Sequence, residues 1–489
     1  MTLKLSNSTL PSLPDNVAVP SYDRSALTRG ILHIGLGNFH RAHQAIYLDR
    51  LFDMGHDHDW ALVGASLRGN DEAIRADLAA QDWLTTVVEL DPNGFSARVC
   101  GAMIDYAETH PDAVVAAMTD PAIRIVSLTI TEGGYYIDAT TGGFEAGHVD
   151  VAADAASPDA PKTVFGCILK ALRARRDAGT APFTIMSCDN LPENGHVARA
   201  TTLGLAALQD TAFAGWVDNN VAFPNSMVDC ITPATSQREI DMVADEFGIA
   251  DARPVACEPF RQWVMEDTFT NGRPALENVG VEFVTDVAPY ELMKLRILNG
   301  GHATIAYPAG LLDIHFVHDA MLHPLVSDFL AKLEREEIVP TVPDIPGVSK
   351  TDYLAKVTER FSNSAIGDTI PRLCFDGSNR QPKFILPVVE ARLAAGDSVH
   401  GLALESALWC RYCYGVTEGG NPVAPNDPDW ENLNRQAVLA KENSNAWLKM
   451  TEIYGALAQQ YAFAEAFDTA LTSIWRDGTA AVLEAYIAA

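Results

Sequence analysis

GILHIGLGNFHRAHQ (residues 30–44) reads as a strand, a tight turn and the start of a helix. Residues 30–35 are a short apolar run, as a strand covered on both faces requires. Gly35 and Gly37 follow it. Glycine at such a turn lets the backbone bend sharply and come close to a pyrophosphate. The helix that follows supplies N–H donors and a positive dipole end. Gly35, Gly37, Asn38 and Phe39 are therefore candidate dinucleotide-binding residues. The third glycine of the usual fingerprint is absent and His40 stands in its place. The motif by itself leaves a dinucleotide cradle and an ordinary glycine-rich turn equally open.

Working outward, residues 60–67, 83–89, 95–100, 123–130 and 183–188 read as further strands. Helical spacing covers 40–54, 111–118 and 163–177. Strands alternating with helices predict an α/β fold with a mainly parallel, doubly wound, Rossmann-type sheet. From Tyr290 onward strand-like runs become rare. Amphipathic stretches at 320–337, 350–361, 385–396, 401–413 and 446–458 predict a mostly α-helical C-terminal domain. The expected division is 1–289 and 290–489, with surface loops at 139–161 and 416–430. A chain of 489 residues agrees with more than one core.

The composition removes several function classes. A net charge of −29 opposes binding to nucleic acid and to anionic membranes. No apolar run is long enough for a bilayer span, and the N-terminus lacks a signal-peptide h-region, so the expected compartment is the cytoplasm. The eight cysteines are scattered, which predicts reduced, buried thiols. Cys410 and Cys413 form a lone CxxC inside an apolar helical run and read as two core thiols on one helix face.

Two regions carry chemistry. After the second strand comes Arg68-Gly69-Asn70-Asp71. Asp71 is placed to accept from a ribose 2′-hydroxyl, which favours NAD, whereas Arg68 would suit the 2′-phosphate of NADP. Thr131, which opens the turn TEGG after the strand 123–130, joins the candidate cofactor set, as does Asn70. The second region is YELMKLRILNGGH (290–302), which contains a KxxxxNxxH pattern. At about 100° per residue on an α-helix, Glu291, Lys294, Asn299 and His302 share one half of the helix. Removing a hydride from carbon requires a proton to leave the oxygen. A lysine can take it only if its pKa falls from about 10.4 towards 7–8. Asn299 can donate to the developing alkoxide, His302 can hold the hydroxyl, and Glu291 can relay the proton to water. The same spacing also suits a helix with a solvated lysine and a capping asparagine. His56-Asp57-His58-Asp59 and His315/His318 lack zinc-type spacing, so no metal site is expected.

The chain resembles the polyol-specific long-chain dehydrogenases, the mannitol dehydrogenase family. The resemblance rests on HIGLGNFHRAHQAIYLDRL (33–51), IVSLTITEGGY (125–135), PKTVFG (161–166), FTIMSCDNLPENGHV (183–197), FPNSMVDCITP (223–233), ACEPFRQWVMEDTFTNGRP (256–274), PYELMKLRILNGGH (289–302) and DGSNRQPKF (376–384). It implies NAD-dependent, metal-independent oxidation of a sugar alcohol to a ketose, such as D-mannitol to D-fructose, in a cleft between two domains. It implies Lys294 as general base, Asn190 and Asn299 polarising the oxygen, and His302 orienting it. Asp229, Arg372 and Arg380 match positions that hold the sugar-alcohol hydroxyls, with Arg380 where the mannitol enzymes carry lysine. Asn70 stands where an NAD-preferring relative has an acid, but Asp71 is kept, so NAD is favoured over NADP. The family resemblance also suggests a monomer or weak oligomer. D-Arabinitol or sorbitol oxidation remains an alternative. Hexuronate (fructuronate or tagaturonate) reduction is another, with Arg372 and Arg380 gripping a carboxylate. An NAD(H)-sensing binding protein is the non-enzymatic alternative.

Overall fold

The computed structural model describes residues 2–138 and 141–489. The chain forms two compact units, Met1–Ala288 and Pro289–Ala489.

Five strands organise the first unit: β1 (Arg29–Ile34), β2 (Ala61–Ala65), β3 (Met103–Tyr106), β4 (Ile125–Leu128) and β5 (Thr184–Ser187). Their order is β3-β2-β1-β4-β5, and every neighbouring pair is parallel. This is the doubly wound arrangement, whose strand order reverses between β1 and β4. Ligands of such sheets bind beyond the carboxyl ends of the strands at that reversal. Here those ends lead into Gly35 and Thr129.

Both faces of the sheet are covered, and the side chains sort by the two-residue period of a strand. Ile31 and Ile125 pack with helix α1 (Asn38–Ala42) and helix α2 (Gln44–Asp53). Leu32, Ile34, Val126 and Leu128 pack on the other face with helix α3 (Pro111–Thr119) and helix α4 (Val164–Asp177). The remaining strands build smaller mixed sheets. One holds the antiparallel pair Thr85–Glu89 and Ser96–Cys100; another sets Ser226–Asp229 against Gln262–Glu266.

The second unit is helical. Helix α5 (Ala288–Met293) runs into a π-helical segment, Lys294–Asn299, and then into helix α6 (Gly300–Leu311). Around them lie α7 (Pro324–Leu333), α8 (Lys350–Phe361), α9 (Ile370–Leu373), α10 (Gly377–Phe384) and α11 (His400–Cys413). Helix α11 is buried along its length, Cys410 and Cys413 included, and all eight cysteines are free thiols. Among the described residues no helix is long and apolar enough to cross a membrane.

Three expectations need correction. The stretch 40–54 is two helices, because His43 leaves the helical region (φ −116°, ψ −88°) between α1 and α2. The stretch 446–458 is split into Asn445–Leu448, Thr451–Tyr454 and a 3-10 turn at Gly455–Gln459. The supposed loop 139–161 contains a helix, Val149–Ala156; residues 139 and 140 lie outside the described residues. Its buried Asp154 accepts from the backbone N–H groups of Lys162 (2.8 Å) and Thr163 (2.9 Å), a tertiary tie that local composition does not reveal.

Candidate active site

Gly35 adopts φ +96°, and a Cβ there would lie 2.1 Å from the Thr129 carbonyl oxygen. Only glycine fits. Gly37 differs: its N–H donates to Gly35 O (2.7 Å), and a Cβ on it would approach nothing closer than that same oxygen at 3.9 Å. A side chain at 37 would therefore fill open space in front of the turn, the space a pyrophosphate needs. The residues fit a dinucleotide. Gly35→Ala is expected to weaken dinucleotide binding at least about tenfold and to lower the thermal midpoint, because the left-handed conformation and the close approach are lost together. Titration with the nucleotide and a melting curve check both.

His40 takes the third-glycine position by lying flat on His33, with ring centroids 3.4 Å apart and an interplanar angle of 14°. His33 is fixed in turn by Ser127 Oγ (2.8 Å from Nδ1) and Thr129 Oγ1 (2.9 Å from Nε2). Thr129 donates its hydroxyl proton to Gly35 O (2.7 Å). His33 must then donate from Nε2 and accept at Nδ1. A buried imidazole thus braces the glycine turn. Burial holds His33 down to about 3, and burial and the neighbouring His33 hold His40 well below the usual histidine range.

The other cofactor candidates fall into distinct roles. The Asn38 side chain is used inside the fold: it donates to Thr235 Oγ1 (2.9 Å) and accepts from Arg41. Its contribution to a ligand is restricted to the backbone at the start of α1. Phe39 stacks on His43. Asp71 accepts from Ser66 Oγ (2.5 Å) just past β2, while Asn70 is exposed. Thr131 is exposed and has φ +66°, a strained conformation for a β-branched residue. Asp189 imposes it, accepting from the N–H groups of Thr131 (2.9 Å) and Ile130 (2.8 Å) and from Tyr135 OH (2.7 Å). Sequence reasoning missed Asp189 and named only its exposed neighbour, Asn190. Asp229 is buried at the end of the strand Ser226–Asp229.

In the second unit Glu291, Lys294, Asn299 and His302 are all buried. Lys294 opens the π-helical segment and Asn299 closes it. The constant 100° step used to place them on one half of a helix does not hold, since a π-turn pairs i with i+5. Such turns recur at functional sites, where the extra residue re-aims the side chains beyond it. His302 stacks on Phe361 (centroids 4.2 Å apart). Burial, and then the positive charges of Arg372, Arg380 and Arg360, hold it well below the ordinary histidine range. The His302 ring is therefore neutral. Arg372 donates to Asp368, four residues earlier. Arg380 donates to the Leu373 carbonyl oxygen (2.8 Å). The second unit thus joins His302, Arg372 and Arg380 electrostatically. Arg360 and Phe361 were missed because they reach His302 through tertiary packing and carry no local signal; Asp368 was missed although its four-residue spacing to Arg372 is a local one.

The histidine-rich stretches are accounted for within the fold. His58 lies 3.0 Å from the Phe52 carbonyl oxygen, and Asp59 pairs with Arg124. His318 stacks on Phe316.

Comparison with known proteins gives a consistent family. The mannitol dehydrogenase Rossmann domain matches residues 29–278, and the mannitol dehydrogenase C-terminal domain matches residues 286–475. The chain is 59% identical over 476 residues to mannitol 2-dehydrogenase of Cereibacter sphaeroides, covering 97% of this chain and 99% of that one. It is 40% identical over 492 residues to mannitol 2-dehydrogenase of Pyrenophora tritici-repentis, covering 99% and 86%. Among solved structures it is similar to Pseudomonas fluorescens mannitol 2-dehydrogenase in a ternary complex with NAD and D-mannitol. That match has a TM-score of 0.87 and 42% identity, over 99% of this chain and 100% of that chain. A substrate-free D-sorbitol dehydrogenase gives a TM-score of 0.91 at 36% identity, over 98% and 100%.

Proposed function

The chain belongs to the mannitol dehydrogenase family, and from that premise we infer an NAD-dependent oxidation of D-mannitol to D-fructose with Lys294 as the base. The observation that carries the site assignment is the buried run Glu291, Lys294, Asn299 and His302, with His302 kept neutral beside three arginines.

NAD, when bound, supplies the hydride acceptor. The protein's own residues handle the proton and the geometry. Lys294 Nζ takes the proton from the reacting hydroxyl. The Asn299 and Asn190 amides donate to that oxygen as charge develops on it. His302 holds the hydroxyl in place, and Glu291 passes the proton onward to water. Asp229, Arg372 and Arg380 hold the remaining hydroxyls. Gly35, Gly37, the start of α1 and the Thr131 turn would hold the dinucleotide, and Asp71 would accept from its ribose hydroxyl, which favours NAD over NADP.

Hexuronate reduction is disfavoured by the state of Arg372, whose guanidinium already meets the Asp368 carboxylate. A substrate carboxylate would have to share that positive charge with Asp368, against the repulsion of a second carboxylate. The test is a panel of mannitol, sorbitol, arabinitol and fructuronate with NAD and NADP, read by absorbance of the reduced cofactor. Mannitol with NAD is expected to give the highest kcat/KM, and faster turnover of fructuronate would overturn the assignment. Cofactor binding without turnover of any of the four would instead indicate a sensor.

No step in this scheme uses a metal. Exhaustive dialysis against EDTA is expected to leave kcat within about twofold of the untreated enzyme, since the proton and the oxyanion are both handled by side chains. Activity lost on chelation and restored by zinc contradicts this. A cytoplasmic location and a monomeric or weakly associating state complete the proposal; light scattering on a sizing column tests the latter.

A further inference from the structure

Helix α10 has the sequence GSNRQPKF (377–384). Glycine, serine, asparagine and an internal proline make it a poor helix by propensity. It begins at Asp376 in the left-handed region (φ +62°) with no side-chain cap. Its position must come from outside, and the structure shows two ties. At its start, Ser378 donates from its N–H (2.8 Å) and its hydroxyl (2.6 Å) to Asp427. There Gly377 packs so closely on Trp409 Nε1 and Tyr307 OH that a Cβ would lie 2.6 Å and 2.7 Å from them. One helical turn later, Gln381 Nε2 donates to Glu405 Oε1 (2.6 Å). Gln381 is 1% exposed and Glu405 is fully buried. Arg380 sits between the two ties.

We propose that Glu405 is a positioning residue for polyol binding: through its hydrogen bond with Gln381 it sets helix α10, and with it the Arg380 guanidinium. The inference rests on the assignment of Arg380 to the polyol site. A carboxyl group is costly to bury, and a leucine would fill this place in the core of α11 more cheaply. Burial pushes the Glu405 carboxyl up to about 8, so at neutral pH it carries its proton, with Oε1 left as acceptor. A glutamine at 405 keeps one acceptor and gains N–H donors, and serves as the conservative variant.

The experiment measures steady-state kinetics of Glu405→Leu, Gln381→Leu, the double variant, Glu405→Gln and Arg380→Met, with melting curves for each. Glu405→Leu and Gln381→Leu are each expected to raise the mannitol KM about tenfold, with kcat and the KM for NAD within about twofold, the pattern of lost ground-state binding. The double variant is expected to be no worse than either single one, and Glu405→Gln to restore the parent KM. If Glu405→Leu does not fold, Gln381→Leu and Glu405→Gln carry the test. A merely structural role would lower the melting midpoint and leave KM unchanged, which overturns the proposal. If Arg380→Met raises KM but the Glu405 and Gln381 variants do not, the positioning role alone falls. If Arg380→Met leaves KM unchanged, the polyol assignment of Arg380 falls and takes the proposal with it.

Discussion

Lys294→Ala is expected to lower kcat by about 10²–10⁴ while the dissociation constant for NAD stays within about threefold of the parent, because general-base catalysis is worth that much and the dinucleotide turn lies elsewhere in the sequence. The side chain is buried at the head of the π-helical segment, so truncation removes the proposed base and leaves the glycine turn's own residues unchanged. Two readouts separate a lost base from a disturbed fold. The loss should appear in kcat as well as kcat/KM, since the proton leaves only as the transition state forms. Small primary amines added to the variant should recover part of the rate, with a pH dependence that follows the amine. A variant that turns over within about tenfold of the parent would remove Lys294 from its role.

How much of this was legible in the chain depends on how local the cause is. The strand and turn at 30–37 were readable because a strand buried on both faces is a continuous apolar run and Gly35 meets a purely steric demand. The split between α1 and α2 was not, because the helical spacing continues through His43 and only the backbone there departs. The helix Val149–Ala156 hid in a segment rich in alanine, aspartate and glycine, since Asp154 fixes it by bonds to residues beyond its end. Lys294, Asn299 and His302 stood out as one short polar segment, and the structure buries all three. The π-turn that sets their mutual orientation was not legible, because nothing in KLRILN distinguishes it from an α-helix. Arg360 and Glu405 act across the packing of separate helices, and Asp189, just past β5, acts on Thr131, just past β4. Such residues lie in the ordinary background of a helix or strand until the fold brings them to their partners.

The stacked imidazoles under the dinucleotide turn make acid the weak direction for the first unit. His33 titrates at about 3 in the fold against a usual 6.5, and His40 is also held well below 6.5. In the unfolded chain both take up protons near 6.5. Their contribution to stability is therefore complete above pH 6.5 and is lost as pH falls towards about 3. For His33 each pH unit in that window costs about 1.4 kcal/mol, so this ring accounts for about 3 kcal/mol at pH 4.5, and His40 acts in the same direction. The buried carboxyls Asp49 and Asp189, both raised by burial, act in the opposite sense and grow more favourable as acid neutralises them. A comparison with His40→Phe isolates the imidazole effect, because phenylalanine keeps a flat ring on His33 and cannot titrate. The unfolding free energy of the variant minus that of the parent is expected to rise as pH falls below 6.5, because the parent's unfolded chain takes up a proton that the folded His40 does not. The difference in melting midpoint between variant and parent is expected to widen in the same direction. A difference that stays flat across that range would mean that the His40 ring already carries its proton in the folded protein, and the neutral stacked pair would be excluded.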